Sequence, residues 1–307
     1  MRYVDAAEVA ALGPTGAVDA ILGALRDGLD PSDDPARSAV GLAHGQFLLM
    51  PAQTPTSAGV KVVTVAPDNP GRGLPRIHAA YLLFDHDTLA LRAIVDGTAL
   101  TTLRTPAVSV AAVLARLPDR PLRLAVFGTG PQAVGHVDTL AAVRPVAAAT
   151  YLARDPSRTP LPAIGIRTPA AQEALAAADV VVCATAARSP LFDSTLLRDD
   201  AVVIAIGSHE PDARELDAAL LARASVVVED KATALREAGD VVLAIAEGAL
   251  APSDLLPLRD VVLGPGALPP DRPLVFKSVG MSWEDLVVAT AVVEHGEARD
   301  SSVRRPR

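Results

Sequence analysis

From Pro121 onward the chain alternates short, nearly continuous apolar runs with stretches of helical spacing, and this alternation restricts the fold more than any other feature. The apolar runs cover 122–127, 147–152, 180–184, 201–206 and 225–228, with helical stretches at 133–143, 170–178 and 214–222. A strand that lacks polar alternation must be covered on both faces, and strands joined through helices pair in parallel. The expectation is an α/β fold containing a doubly wound parallel sheet.

The first of these strands runs into Leu124-Ala-Val-Phe-Gly-Thr-Gly-Pro-Gln-Ala133, a Gly-x-Gly-x-x-Ala turn that opens a helix. Gly128 permits the tight turn and Gly130 lets backbone approach a pyrophosphate. Ala133 allows close packing of helix on strand, and Gln132 stands in the first turn, where N–H groups and the helix dipole hold phosphate charge. A strand before, a helix after and a second strand about 20 residues on are the context such a motif requires. This predicts a Rossmann dinucleotide site. At the tip of the second strand, Leu152-Ala-Arg-Asp-Pro-Ser-Arg158 places Arg154, Ser157 and Arg158 where a 2′-phosphate would lie. Charge-assisted donors there favour NADP(H), while Asp155, one position late for the ribose hydroxyls, keeps NAD(H) possible.

The N-terminal third reads differently. A helix starts at Asp5, a second covers 17–28, and β-rich runs follow at 46–50, 59–65, 77–84 and 91–95, with a turn at 67–73. Asp96 is placed to cap a helix over 99–117, in which Pro106 marks a kink or a fresh start. The last helix, 283–294, carries an apolar stripe that must pack, and it is expected to return to the first domain. The domain expectation is therefore 118–283 for the dinucleotide domain and 1–117 plus 284–307 for a discontinuous α+β domain, with 302–307 a disordered tail.

Charge narrows the partners. The chain has 307 residues with 28 Lys and Arg against 36 Asp and Glu, a net charge of -8, and no internal basic run. Nucleic acid and anionic membrane surfaces are thus unexpected. No apolar leader follows Met1 and no 18 consecutive residues are apolar, so neither export nor membrane spanning is expected. The single Cys183, in an apolar strand, reads as a buried structural thiol and suits the cytoplasm. Only Lys61, Lys231 and Lys277 are lysines; Arg supplies the other positive charges. A lysine inside the apolar strand around position 61 therefore draws notice.

Four further segments stand in order along the chain. They are Gly59-Val-Lys-Val-Val-Thr-Val-Ala-Pro-Asp-Asn-Pro-Gly-Arg-Gly-Leu-Pro75, Asp96-Gly-Thr-Ala-Leu-Thr-Thr-Leu-Arg-Thr105, Gly207-Ser-His-Glu-Pro-Asp-Ala-Arg-Glu-Leu-Asp217 and Phe276-Lys-Ser-Val-Gly-Met-Ser-Trp-Glu-Asp-Leu286. With the glycine motif they make the chain resemble the ornithine cyclodeaminase and mu-crystallin superfamily over nearly its whole length. The resemblance implies a homodimer, with a split substrate-binding and dimerisation domain around the Rossmann domain. It implies that Arg37, Lys61 and Arg104 line the substrate pocket and hold an α-carboxylate, a use that suits a guanidinium fork beside an ammonium. It also implies backbone contacts to the cofactor from Thr185, Gly207, Ser278, Val279 and Gly280, and leaves Lys277 to packing or a local ion pair.

One departure separates activities within that superfamily. Cyclodeaminases carry an Asp two residues after the glycine of the third segment, where this chain has His209. An imidazole can donate or accept a proton but supplies no fixed negative charge for an ammonium. The resemblance then falls nearer mu-crystallin and the bacterial ketimine reductases. The implied reaction is NAD(P)H-dependent reduction of Δ1-pyrroline-2-carboxylate or Δ1-piperideine-2-carboxylate, an imino acid carboxylate, with Lys61 and His209 as catalytic candidates. The alternatives are a cyclodeaminase or amino-acid dehydrogenase, a specialised synthase on the same scaffold, and a non-catalytic binder of NADP and an organic anion.

Overall fold

The computed structural model describes residues 1–264 and 268–303. Contacts divide the chain into two compact units, Met1–Val108 with Met281–Arg307, and Ser109–Gly280. Set beside the expected borders at 117 and 284, the division falls nine residues earlier on the first side and three earlier on the second.

The first unit is built on a mixed sheet of β1 (Arg2–Val4), β2 (Ser38–Leu42), β3 (Gly45–Gln53), β4 (Ser57–Val65), β5 (Ile77–Asp85) and β6 (Leu91–Asp96), in the order β1-β6-β5-β4-β3-β2. Strand β1 runs parallel to β6, and all other neighbours are antiparallel. Two strands here lie outside the sequence expectation. Strand β1 has three residues, and β2 is exposed along its whole length, so neither shows a hydrophobic period. Along β4 burial alternates, turning Ser57, Gly59, Lys61 and Val63 inward.

Helix α1 (Ala6–Arg26) begins with a capping box: the Asp5 carboxylate accepts from the Ala7 and Glu8 N–H groups, and Glu8 accepts from the Asp5 N–H. Where two helices were expected, one kinked helix is found. Gly13 adopts φ +72° and Pro14 has no N–H, so the axis breaks there and resumes at once. Helix α2 (Gly97–Val113) starts as expected, with Asp96 Oδ1 accepting from Thr98 N at 3.0 Å and Ala99 N at 2.9 Å. It continues as one helix through Pro106, so of the kink or fresh start expected there the fresh start is not found. Among the described residues, α1 and the segment Gly97–Arg116, which extends α2 by one 3-10 turn, are long and apolar enough to cross a membrane by length and composition. In α1 that hydrophobicity is accounted for by Val9, Val18, Ile21 and Leu25, which are buried in the unit.

Helix α9 (Ser282–Val303) packs against β3, β4, β5 and α1. Its first turn is capped by Asp34, which accepts from Ser282 N at 2.8 Å and Trp283 N at 3.2 Å. The helix extends further than the expected 283–294 and takes in the first two residues of the expected tail; 304–307 lie outside the described residues.

The second unit holds a parallel eight-stranded sheet in the order β13-β12-β14-β11-β10-β7-β8-β9. Its strands are β7 (Leu122–Phe127), β8 (Val146–Ala153), β9 (Ala163–Gly165), β10 (Val180–Cys183), β11 (Val202–Ala205), β12 (Ser225–Val228), β13 (Leu255–Pro257) and β14 (Leu274–Lys277). Every position of β10, β11, β12 and β14 is buried, as strands covered on both faces require. The helices are α3 (Pro131–Val143), α4 (Pro169–Ala177), α5 (Ala218–Arg223), α6 (Lys231–Glu237), α7 (Gly239–Ala246) and α8 (Leu258–Leu263). The helix expected at 214–222 is shorter, starting at Ala218 behind its cap Asp217.

Candidate active site and cofactor site

After β7 the chain builds β8 and β9 on one side, then crosses to β10 on the other, so the sheet order reverses at β7. Ligands of open parallel sheets bind at the carboxyl ends of strands at such a reversal. There Gly128 has φ +105°, and a Cβ on it would collide with the carbonyl of Ala184 beyond β10. Gly130 is the N-cap of α3, with no side-chain cap and open space where a Cβ would stand. Ala133 is fully buried, as close helix packing demands. A glycine cradle over an uncapped helix start fits a pyrophosphate. Behind it, His136 is buried between the Gln132 carbonyl and Ser109 Oγ, and desolvation lowers its pKa to about 4, so it stays neutral.

At the tip of β8, Arg154, Ser157 and Arg158 are exposed. Asp155 turns onto its own loop, accepting from Ser157 N at 3.1 Å and Ser157 Oγ at 2.6 Å, bonds that hold its carboxyl below the ordinary value. The Ser157 hydroxyl is therefore engaged by Asp155, while the two arginines project at the rim.

The strand ends carry a buried polar network that sequence reasoning missed. Glu215 Oε1 accepts from Thr185 N at 2.9 Å and Thr185 Oγ1 at 2.7 Å, and Oε2 from Gly207 N at 2.7 Å. Glu229 accepts from Ser278 Oγ at 2.6 Å and from Val279 N and Gly280 N at 2.9 Å. All five positions expected to meet the cofactor through backbone thus give a donor to a protein carboxylate. Any backbone contact from Thr185, Gly207, Val279 or Gly280 to a cofactor must run through carbonyl oxygens or Cα surfaces. Asp240 Oδ1 accepts from Glu215 N and Leu216 N, both at 2.8 Å, and its Oδ2 faces Lys277 Nζ at 3.1 Å as an ion pair without hydrogen-bond alignment. Lys277 Nζ donates to the Ser208 carbonyl at 2.5 Å. Burial raises the Glu215 pKa, and the Lys277 charge works against that rise. Cys183 is buried with its thiol pushed well up by desolvation, which makes it inert.

His209 is exposed in the loop after β11. Arg188 spans that loop, reaching Glu210 at 2.6 Å and Asp212 at 2.5 Å.

In the first unit, Lys61 lies between Met50 on β3 and Tyr81 on β5, fully buried under α9. Its Nζ donates to Asp285 Oδ2 at 2.6 Å. Arg104, from α2, donates through Nε to Asp285 Oδ1 at 3.2 Å and through a terminal nitrogen to Glu284. Two cations thus face two acids from the first turn of α9. Desolvation lowers the Lys61 pKa to about 8; Asp285 opposes that fall, and the charge of Arg104 adds to it. Tyr81 is buried with its pKa raised by desolvation, then by Asp285 and Asp34. Arg37 stands half-buried in the loop before β2. Glu284 and Asp285 fall in the segment Phe276–Leu286, where the sequence gives them no role because two acids opening a helix read as ordinary dipole partners.

A glycine cradle at the reversal point of a doubly wound sheet defines the second unit as a dinucleotide-binding scaffold, and the first unit, by itself, buries a Lys–Arg pair against two acids. The chain belongs to the ornithine cyclodeaminase/mu-crystallin family, whose model matches residues 15–300. It is 35% identical over 298 residues to the Δ1-pyrroline-2-carboxylate/Δ1-piperideine-2-carboxylate reductase of Azospirillum brasilense, covering 92% of each chain. To the Δ1-pyrroline-2-carboxylate reductase of Colwellia psychrerythraea it is 32% identical, over 86% of this chain and 90% of that one. Among solved structures, the Δ1-pyrroline-2-carboxylate reductase of Thermococcus litoralis in complex with NADH and L-proline matches with a TM-score of 0.84 at 26% identity, covering 96% of this chain and 98% of that chain.

Proposed function

We propose that the protein is a nicotinamide-dependent oxidoreductase that reduces a cyclic imino acid, Δ1-pyrroline-2-carboxylate or Δ1-piperideine-2-carboxylate, to L-proline or L-pipecolate. The observation that carries this reading is the buried pair of Lys61 and Arg104 at a family position for an α-carboxylate. A guanidinium has five N–H donors and an ammonium three, so both can serve a substrate carboxylate beyond Glu284 and Asp285. Arg37 supplies a third cation for the same anion.

When bound, the reduced nicotinamide supplies a hydride to the imine carbon. The protein's residues do the rest. Arg104 and Lys61 orient the carboxylate, and with it the adjacent C=N bond, while the buried wall of Met50 and Tyr81 keeps water from Lys61. The iminium nitrogen arrives protonated, becomes the neutral amine on hydride addition, and takes one further proton, for which His209 is the assigned donor. No carboxylate stands at position 209, and this reaction needs none there; cyclodeamination, which must hold and deprotonate an α-ammonium, is the weaker reading.

NADPH is the assigned reductant, because Arg154 and Arg158 stand exposed at the β8 tip while Asp155 is engaged with Ser157. The unit is assigned to a homodimer: on the sheet positions opposite the α9 side, Leu49, Val60, Val62, Leu82, Phe84 and Ile94 are apolar and only half-buried. Sedimentation of wild type at twice the chain mass, and of Leu82→Glu at the single-chain mass, is the expected pair of results. The lone buried Cys183 suits a reducing compartment, the cytoplasm.

The deciding experiment is a screen of NADPH and NADH oxidation over Δ1-pyrroline-2-carboxylate, Δ1-piperideine-2-carboxylate and linear 2-imino acids, with L-ornithine as a separate substrate. Turnover of the cyclic imines without proline from ornithine is expected. Proline from ornithine, or cofactor binding with no turnover of any imine, would overturn the reading.

A further inference from the structure

Asp285 reaches two cations carried by two different elements. Its Oδ2 takes Lys61 Nζ from β4 at 2.6 Å and its Oδ1 takes Arg104 Nε from α2 at 3.2 Å. Glu284 divides its oxygens otherwise, one on Arg104 and one on the Met281 N–H at 3.1 Å. Both acids are completely buried. We propose that Asp285 is a positioning residue of the substrate site, holding the Lys61 ammonium and the Arg104 guanidinium in one frame matched to a substrate α-carboxylate; this rests on the imino-acid reading above.

The physical case has three parts. Two like charges brought together in a buried site repel, so a shared counter-charge is needed to keep Lys61 and Arg104 adjacent. Both are long side chains with many rotamers, and a single carboxylate contacting both fixes their relative placement before substrate arrives. Burial and Arg104 both draw the proton off Lys61, and Asp285 is the largest influence that keeps it on. The other groups facing Lys61 do not replace it. Glu284 acts on it more weakly, Met50 is apolar, and Tyr81 is kept neutral by burial and by the charges of Asp285 and Asp34. Asp34 is itself occupied as the cap of α9.

The rival account makes Asp285 a folding ion pair alone. That account predicts a lower Tm for Asp285→Asn with unchanged catalysis in the surviving fold. Positioning predicts changes in catalysis itself. In wild type, kcat/KM for Δ1-piperideine-2-carboxylate falls along an alkaline limb near pH 8 as Lys61 loses its proton. In Asp285→Asn that limb moves to lower pH by about one pH unit and KM for the imino acid rises at least about tenfold, with the Kd for NADPH unchanged. Glu284→Gln moves the limb less. Asp285→Glu keeps the charge and hence the limb, while KM remains raised because the carboxylate is displaced by a methylene. If Asp285→Asn does not fold, Asp285→Glu against Glu284→Gln carries the test.

A readout free of turnover separates this proposal from the reading beneath it. Trp283 is the chain's single tryptophan and adjoins Glu284, so its fluorescence is the probe used for L-proline binding, with calorimetry as the second readout; with three lysines, 13C-lysine NMR follows the Lys61 titration. Wild-type turnover with an unmoved limb and KM in Asp285→Asn overturns the proposal and leaves the reading intact. No imine turnover in wild type, but a shifted Lys61 titration and weakened L-proline binding in Asp285→Asn, overturns the reading and leaves the positioning role standing. Neither effect removes both.

Discussion

Lys61 and Lys277 are equally buried, each beside an aspartate, yet their remaining partners differ. Lys277 sits at the end of β14 and donates to a backbone carbonyl, that of Ser208, while its aspartate, Asp240, takes two backbone N–H groups. That lysine ties loops to one another. Lys61 sits mid-strand on β4, and its acid, Asp285, is shared with the guanidinium of Arg104. Lys61, Arg104, Glu284 and Asp285 meet one another through their side chains, and Glu284 also accepts from the Met281 N–H. A charge locked onto backbone can do little but hold the chain in place, whereas side-chain charges held by other side chains can be shared with an incoming anion. Burial by itself does not distinguish the two roles; the kind of partner does.

The contrast makes its largest prediction for stability. Lys277→Met strands Asp240 in the core and should cost about 3–5 kcal/mol of unfolding free energy, read by chemical denaturation. Lys61→Met leaves Asp285 still paired with Arg104, so its stability loss should be clearly smaller while imine reduction collapses. Equal stability losses would erase the distinction between the two lysines.

Next comes the carboxylate clamp. Arg104→Ala should lower kcat/KM for the cyclic imino acid by about 2 kcal/mol or more while the NADPH Kd stays put. Unchanged kinetics would remove Arg104 from the site.

The titration of Lys61 gives the comparison opposite signs in two measurements. Its folded pKa, about 8, lies below the ordinary 10.5, so between those values the unfolded chain binds more protons. Lys61's contribution to stability therefore rises with pH across that window, while activity that needs the ammonium falls. Parallel loss of both above pH 8 would mean that some other group governs the alkaline limb.

The smallest expected effect concerns the rim of the second unit. Arg154→Ala should weaken NADPH by roughly 1–2 kcal/mol and leave NADH nearly unaffected, measured by fluorescence titration. Equal losses would return Asp155 to the ribose and favour NADH.

Much of this molecule follows from local sequence. The continuous apolar strands, the Gly128–Ala133 turn and the Asp5 and Asp96 caps are short-range matters of period, φ and hydrogen bonding within a few residues. So is the prominence of Lys61, a rare residue type in an apolar strand. Other features left no local trace. Strand β2 is exposed throughout, and β1 is three residues held by parallel pairing with a strand about 90 residues away. Helix α2 runs through Pro106 although proline argues locally for a break.

The acids were hidden for a different reason. Glu215, Glu229 and Asp240 look like ordinary charges at loop and helix starts, and Glu284 with Asp285 like a favourable first turn. Their burial comes only from folding, which brings positions 61, 104 and 285 together across separations of 181 and 224 residues. A cation in an apolar strand announces that it needs a counter-charge, because an unpaired buried charge is too costly to keep. Which of the 36 acidic residues supplies it is a question of three-dimensional distance, and the packing of α9 against β4 answers it with Asp285.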